Sequence, residues 1–310
     1  MKVLVTGGRG YLGGRIIDSL RTEGHEAICG TRSRTPCRSN ERFTDFEDPG
    51  RLRESFKGID AVVHLAGMNE VEALKDQEAA LHTTATYTLR TIQAAKAAGI
   101  RRFIYFSTIH VYGVPLRGLI DESTTTRPAH PYSATHRAAE DFVYMGHRDG
   151  AMDAVIFRLS NGYGYPMRPG VERWTLLVND LCKQAAVSGK LILKSSGIQM
   201  RDFIPIADVC GAVSNVLSLP RQVDPWFNLG SGKAMSVRDM ASYVVARYES
   251  VTGNRAVLEV PAPREDESSP AFDFSVEKIR SMGFSPRAVL DEEIDKTIEK
   301  CIEWYEKGEL

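Results

Sequence analysis

Apolar and polar positions along this chain alternate between two rhythms. Short unbroken apolar runs form the first: Val3-Leu4-Val5, Ala27-Ile28-Cys29, the stretch from Asp60 to Ala66, Phe103-Ile104-Tyr105-Phe106 and Ala154-Val155-Ile156-Phe157. Helical spacing forms the second: Leu12, Ile16, Ile17 and Leu20 share one helical face, and a long helical stretch follows Ala66 and runs through Ala98. Apolar runs without alternation predict strands buried on both faces, which is the mark of a parallel sheet covered by helices. Right-handed crossovers then give a doubly wound α/β fold.

The rhythm breaks after Leu159. Residues 160–200 are rich in Gly, Pro and Arg around one helix expected near Trp174–Ser188. Residues 202–230 return to the sheet-and-helix pattern, with Trp226-Phe227-Asn228-Leu229 as the expected last strand. From Ser236 onward short helices and a strand at Val257–Val260 predict a lobe. The expected division is a dinucleotide-binding domain over 1–160, rejoined by 202–230, and a smaller lobe from 161–201 and 231–310 that takes the substrate. Pro261-Ala262-Pro263 is a loop rather than a linker, and no repeat is present.

Composition narrows the classes. The chain has 310 residues, 43% hydrophobic and 25% charged, which is the balance of a folded protein. A net charge of −1 offers no basic field for nucleic acid or an anionic membrane. No apolar run reaches membrane-spanning length. Cys29, Cys37, Cys182, Cys210 and Cys301 are scattered, without a CxxC pair, so neither a disulfide framework nor a structural zinc site is expected. No His/Cys/Asp/Glu spacing suggests any other metal site. The chain opens directly into its first strand, leaving no room for a signal peptide, and the cytoplasm is the expected location.

The chemistry begins where the first strand ends, at Thr6-Gly7-Gly8-Arg9-Gly10-Tyr11-Leu12-Gly13. Both GxGxxG and GxxGxxG spacings are satisfied. Glycines permit a tight turn and a close backbone approach to a pyrophosphate, and the helix behind them directs free N–H groups at that anion. The strand before and the amphipathic helix after supply the context such a motif needs. The second strand leads to Gly30-Thr31-Arg32-Ser33-Arg34, with no Asp or Glu to hold a ribose 2′-hydroxyl. Arg32 and Arg34 suit a 2′-phosphate instead, pointing to NADP over NAD; a pair of solvated loop arginines is the competing explanation.

Further along stand Phe106-Ser107-Thr108-Ile109-His110-Val111-Tyr112-Gly113 and, 24 residues after Thr108, Tyr132 within Pro131-Tyr132-Ser133-Ala134-Thr135-His136. With His64-Leu65-Ala66, Arg158-Leu159-Ser160-Asn161, Gln199-Met200-Arg201-Asp202-Phe203-Ile204 and Asn228-Leu229-Gly230-Ser231-Gly232, the chain resembles the extended short-chain dehydrogenase/reductase family over nearly its whole length. The likeness is to the nucleotide-sugar epimerase and dehydratase branch.

The resemblance implies a Rossmann-type sheet and hydride transfer between a sugar carbon and a nicotinamide. It implies Tyr132 as acid/base on the sugar hydroxyl, with Thr108 orienting the same oxygen. It assigns Gly7, Gly10, Tyr11, Leu12, Gly13, Asp45, Phe46, Leu65 and Ala66 to the cofactor, beside Arg32, Arg34, Tyr132 and His136. Thr108, Asn161, Arg201 and Arg264 are its substrate residues. For Arg201 and Arg264, an internal ion pair with Asp202, Glu265 or Asp266 is the competing explanation. Trp174 is expected either to stack on a ligand ring or to pack in the core.

Two departures stand out. The family's Lys four residues after the Tyr is His136 here, and the stretch His82-Thr83-Thr84-Ala85-Thr86 lacks the family's Asn. A phenol near pKa 10 then has no permanent cation to lower it. The sugar 4,6-dehydratases of the family usually carry Asp-Glu after this Thr, where Ile109-His110 stand; Ile109 transfers no proton, and the Cys of some 3,5-epimerising reductases is absent too. The expected activity is therefore 4-epimerisation or ketone reduction on a nucleotide-activated sugar. Two alternatives stay open: a cofactor-binding protein with little turnover, and a reductase of a non-nucleotide substrate. A homodimer through the Tyr132 helix is also expected from the resemblance, with Ala138, Ala139, Phe142 and Val143 as compatible positions.

Overall fold

The computed structural model describes all residues except 35–38, 172, 221–223, 266 and 288. Cys37 and Asp266 therefore lie outside the described residues. Seven parallel strands form the main sheet, in the spatial order Trp226–Leu229, Asp153–Leu159, Arg102–Thr108, Ala61–His64, Lys2–Thr6, Glu26–Thr31, Glu41–Phe43. Strand order reverses beside Lys2–Thr6, so the crevice at its carboxyl end is where a ligand fits an open sheet of this kind.

The unbroken apolar runs have a direct cause. Val3, Val5, Ile104 and Phe106 face one hydrophobic cluster, and Leu4, Phe103 and Tyr105 face another on the opposite side of the sheet. Both faces are covered, so no strand position is left for water. The strand Glu41–Phe43 was not expected: three residues, two of them charged, carry no apolar run. The helical stretch before Ala98 is also more broken than its periodicity suggests. It comprises helices Glu70–Lys75 and Gln77–Ala80, a π turn at Leu81–Thr86, and helix Tyr87–Ala97. The helix expected near Trp174 begins at Leu177 and ends at Ser188.

A third cluster, including Tyr163, Leu181, Cys182, Val244, Ile298 and Cys301, is the core of the smaller part. A short sheet leads into it: Asn161–Tyr163 pairs with Met200–Pro205, which pairs with Ala234–Ser236. The glycine-turn helix Tyr11–Thr22 is bound to this part at two points. The Tyr11 hydroxyl donates to the Gly164 carbonyl at 2.8 Å and accepts from Asn179 at 2.9 Å. Arg15 pairs with Glu293 through two bonds of 2.6 and 3.0 Å while its guanidinium lies 4.0 Å above the Tyr165 ring. Among the described residues no helix is long and apolar enough to cross a membrane.

Candidate active site

A cavity of about 810 Å³ opens at the carboxyl ends of the central strands. At one end lies the glycine turn. Gly7 has φ +66°, a conformation that L side chains rarely adopt, and a Cβ on it would lie 3.1 Å from the Leu65 backbone. Gly13 allows the helix to close on the turn, because a Cβ there would lie 2.5 Å from the Gly7 carbonyl. Helix Tyr11–Thr22 begins with no side-chain cap and no acidic residue in its first turn. Its first N–H groups are therefore left for an anion. Gly7, Gly10, Tyr11, Leu12, Gly13, Leu65 and Ala66 all line this end.

Beyond the turn the cavity passes Arg32, Phe46 and Tyr87. Phe46 and Tyr87 stack at 4.8 Å and 12°, and Arg32 makes no ion pair among the described residues. Arg34 and Asp45 do not line the cavity: they pair with each other at 3.7 Å, and Asp45 also meets Arg51. Arg9, not singled out from the sequence, does line it, held by Glu41 through bonds of 3.0 and 2.7 Å.

Thr108, Tyr132 and His136 meet at the centre. Thr108 ends the strand Arg102–Thr108, and its hydroxyl accepts the His110 N–H at 3.2 Å and bonds the Tyr132 phenol. Tyr132 opens helix Pro131–Arg148, where Pro131 occupies the first turn and the His130 ring accepts the Tyr132 N–H at 3.1 Å. One turn on, the His136 ring sits edge-on to Tyr132 at 4.5 Å, and its Nδ1 is 2.7 Å from the Tyr105 hydroxyl. A further turn on, buried Glu140 holds the helix to two strands at once. It accepts from Ser107 at 2.6 Å and from Arg158 at 3.1 and 2.8 Å. That clamp sets the register in which Tyr132 faces Thr108.

Electrostatics follow from burial. Removal from water pushes the Tyr132 phenol up to about 12, Glu70 adds to the rise, and Arg173 and the Thr108 hydrogen bond oppose it. Burial pushes His136 down to about 4, helped by His110 and opposed by the Phe106 carbonyl. His110 is itself lowered by burial and by Arg201. At neutral pH the centre thus holds a protonated phenol and neutral imidazoles.

At the far end, His110, Asn161, Arg173 and Arg201 line the cavity. Asn161 donates to the Asp202 carbonyl at 2.8 Å. Arg201 makes no ion pair among the described residues; Asp202, its sequence neighbour, is buried and accepts from Ser160, Ser231, Gly232 and Lys233 instead. Glu70 and Arg173 approach across the opening at 3.4 Å. Arg264 does not line the cavity, and its backbone N–H is bound by Glu267. Trp174 is also outside it, edge-on to Trp304 at 6.1 Å. Ile109 is buried in the first cluster, turned from the cavity that His110 lines. Arg173 and Glu70 belong to none of the sequence motifs and stand 103 positions apart, so only the fold brings them together at the site. Arg9 had a signal, as the one charged residue inside the glycine run.

A family model described as the NAD dependent epimerase/dehydratase family matches residues 3–230. The dTDP-D-glucose 4,6-dehydratase of Mus musculus is 29% identical, over 99% of this chain and 89% of that protein. The UDP-glucose 4-epimerase of Streptomyces lividans is 28% identical, over 92% of this chain and 91% of its own length. Among solved structures, MoeE5 in complex with UDP-glucose and NAD superposes with a TM-score of 0.80 at 26% identity, covering 99% of both chains.

Proposed function

Because this chain is a member of the NAD dependent epimerase/dehydratase family, we propose that it reduces a keto group on a nucleotide-activated sugar with NADPH. The observation behind the direction is Tyr132: half-buried at the cavity wall beside Thr108, with His136 in place of a lysine, its phenol is pushed up and the imidazole down, so it stays protonated at neutral pH. A protonated phenol is ready to give its proton to a carbonyl oxygen, as reduction requires, and poorly suited to take one from an alcohol. The nicotinamide, when bound, supplies the hydride.

The uncapped helix start and the glycine turn fit a pyrophosphate, and the Phe46–Tyr87 stack fits an adenine. Arg32 and Arg9 at that end support NADP, while Arg34 is engaged with Asp45. His110, Asn161, Arg173 and Arg201 suit the diphosphate and sugar of the substrate. Arg264, exposed and outside the lining, is dropped from that set. The second reading is 4-epimerisation, favoured by the likeness to the Streptomyces lividans epimerase. Dehydration is not proposed, since Ile109 faces the core.

For the homodimer, Ala139 and Val143 lie in the protomer's own core, which leaves half-buried Ala138 and Phe142 and exposed Met145 for a partner. A monomer in sedimentation across the micromolar range removes that part of the proposal.

The experiment is a panel of 4-keto and 4-hydroxy nucleotide sugars with NADPH or NADP. Loss of reduced-nicotinamide absorbance only with keto sugars supports the reductase. Interconversion of 4-hydroxy epimers without net oxidation establishes the epimerase instead. Cofactor binding with neither reaction leaves a cofactor-binding protein.

A further inference from the structure

Tyr105 lies in the middle of the buried apolar strand Arg102–Thr108, where a phenylalanine would pack as well. A buried hydroxyl is costly unless it is hydrogen-bonded. Its hydroxyl lies 2.7 Å from His136 Nδ1, the two rings lie 5.9 Å apart, and on its other side it lies against the Thr88 hydroxyl. His136 has the same need in reverse, since a buried imidazole nitrogen without a partner is equally costly. The Phe106 carbonyl lies against the same imidazole.

Behind Tyr105 the surroundings are already fixed. The Thr88 hydroxyl donates to the Thr84 carbonyl at 2.6 Å, and a carbonyl only accepts, so the Thr88 proton is committed there. His64 must then donate through Nε2 to Thr88 at 3.1 Å and accept at Nδ1 from the Thr6 hydroxyl at 2.8 Å. The His64 ring stacks on Tyr105 at 6.0 Å, so the phenol stands against a locked group on one side and His136 on the other.

We propose that Tyr105 is a positioning residue: its phenol pins the His136 imidazole through Nδ1 and so fixes the ring against the cavity beside Tyr132. This rests on Tyr132 and His136 being the reacting pair of the proposed reductase. A lysine at this place reaches by length and carries its own charge. A histidine is short and rigid, and its use depends on being aimed.

The test compares wild type with Tyr105→Phe by 15N spectra of histidine-labelled protein, the His136 signals being those lost in His136→Gln. The expected result is a displaced His136 ring pair in Tyr105→Phe, NADP affinity weakened about threefold or more, and hydride transfer slowed about ten- to a hundredfold with KM for the sugar unchanged. In a His136→Lys background, Tyr105→Phe should have no such effect, because the coupling resides in the contact. Unchanged His136 signals and unchanged NADP affinity in a folded Tyr105→Phe protein would overturn the proposal. If that variant does not fold, protein with 3-fluorotyrosine incorporated at position 105 alone replaces it: the more acidic phenol shifts the His136 signals if the bond exists and leaves them if it does not. Loss of turnover in His136→Ala but not in Tyr105→Phe sinks Tyr105 alone. No effect of His136→Ala on turnover or cofactor affinity sinks the underlying pair, whatever the spectra show of the contact.

Discussion

Three glycines of one turn have three separate duties. Gly7 is needed for its φ and Gly13 for helix-to-turn contact, whereas Gly10 is extended, at φ −79° and ψ −176°, and a Cβ on it would meet only the Gly7 carbonyl at 3.1 Å. Gly10→Val is therefore expected to fold and lose cofactor binding in calorimetry, because its side chain enters the pyrophosphate space. Gly13→Ala is expected to lower the melting temperature even without cofactor. Equal cofactor affinity in a folded Gly10→Val protein would refute the phosphate site. The buried histidines give a pH dependence. Burial keeps His136 neutral down to about 4 and His64 down to about 3, whereas an unfolded histidine takes up its proton near 6.5. Between those values the unfolded chain binds more protons, so stability rises with pH. Urea midpoints of the cofactor-free protein are expected to fall as pH drops from about 6.5 toward 4, still further toward 3 through His64, and His136→Gln should flatten part of that slope. The glycine turn could be read from the sequence because it sits directly at a strand end, whereas Tyr132 and His136 stand out through the family resemblance. Glu70 and Arg173 could be read by neither route, since 103 positions separate them and no local pattern records their meeting.

Helix Pro131–Arg148 carries Tyr132 and His136, the proposed reacting side chains, and its place depends on Glu140. The carboxylate is fully buried, and with it removed Arg158 would remain as an uncompensated buried cation. Glu140→Ala is expected to destabilise the protein by about 3–5 kcal/mol, measured by denaturant unfolding. A loss below about 1 kcal/mol would mean that packing alone sets the register. The strands buried on both faces were readable as apolar runs. Glu41–Phe43 was not, because an edge strand of three residues buries too little to impose a pattern. Nor was the π turn at Leu81–Thr86, whose residues suit an α-helix equally well and whose extra residue per turn shows only in the backbone.

Across the whole molecule, Tyr11 and Arg15 bind the cofactor-side helix to the smaller part through Gly164, Asn179 and Glu293. The two parts are thus expected to unfold in one calorimetric transition, raised by NADP through mass action. Arg15→Ala should lower it or split it in two, and an unsplit, unshifted transition would show the link to be incidental. The main sheet also has a short outer border. Its last strand is Glu41-Arg42-Phe43, and both charged side chains are turned to internal duties, Glu41 on Arg9 and Arg42 on the Ser55 and Lys57 carbonyls. So brief and charged a border gives another chain little backbone to pair with. Crowded copies of this protein are therefore guarded on that side against joining strand to strand into fibres.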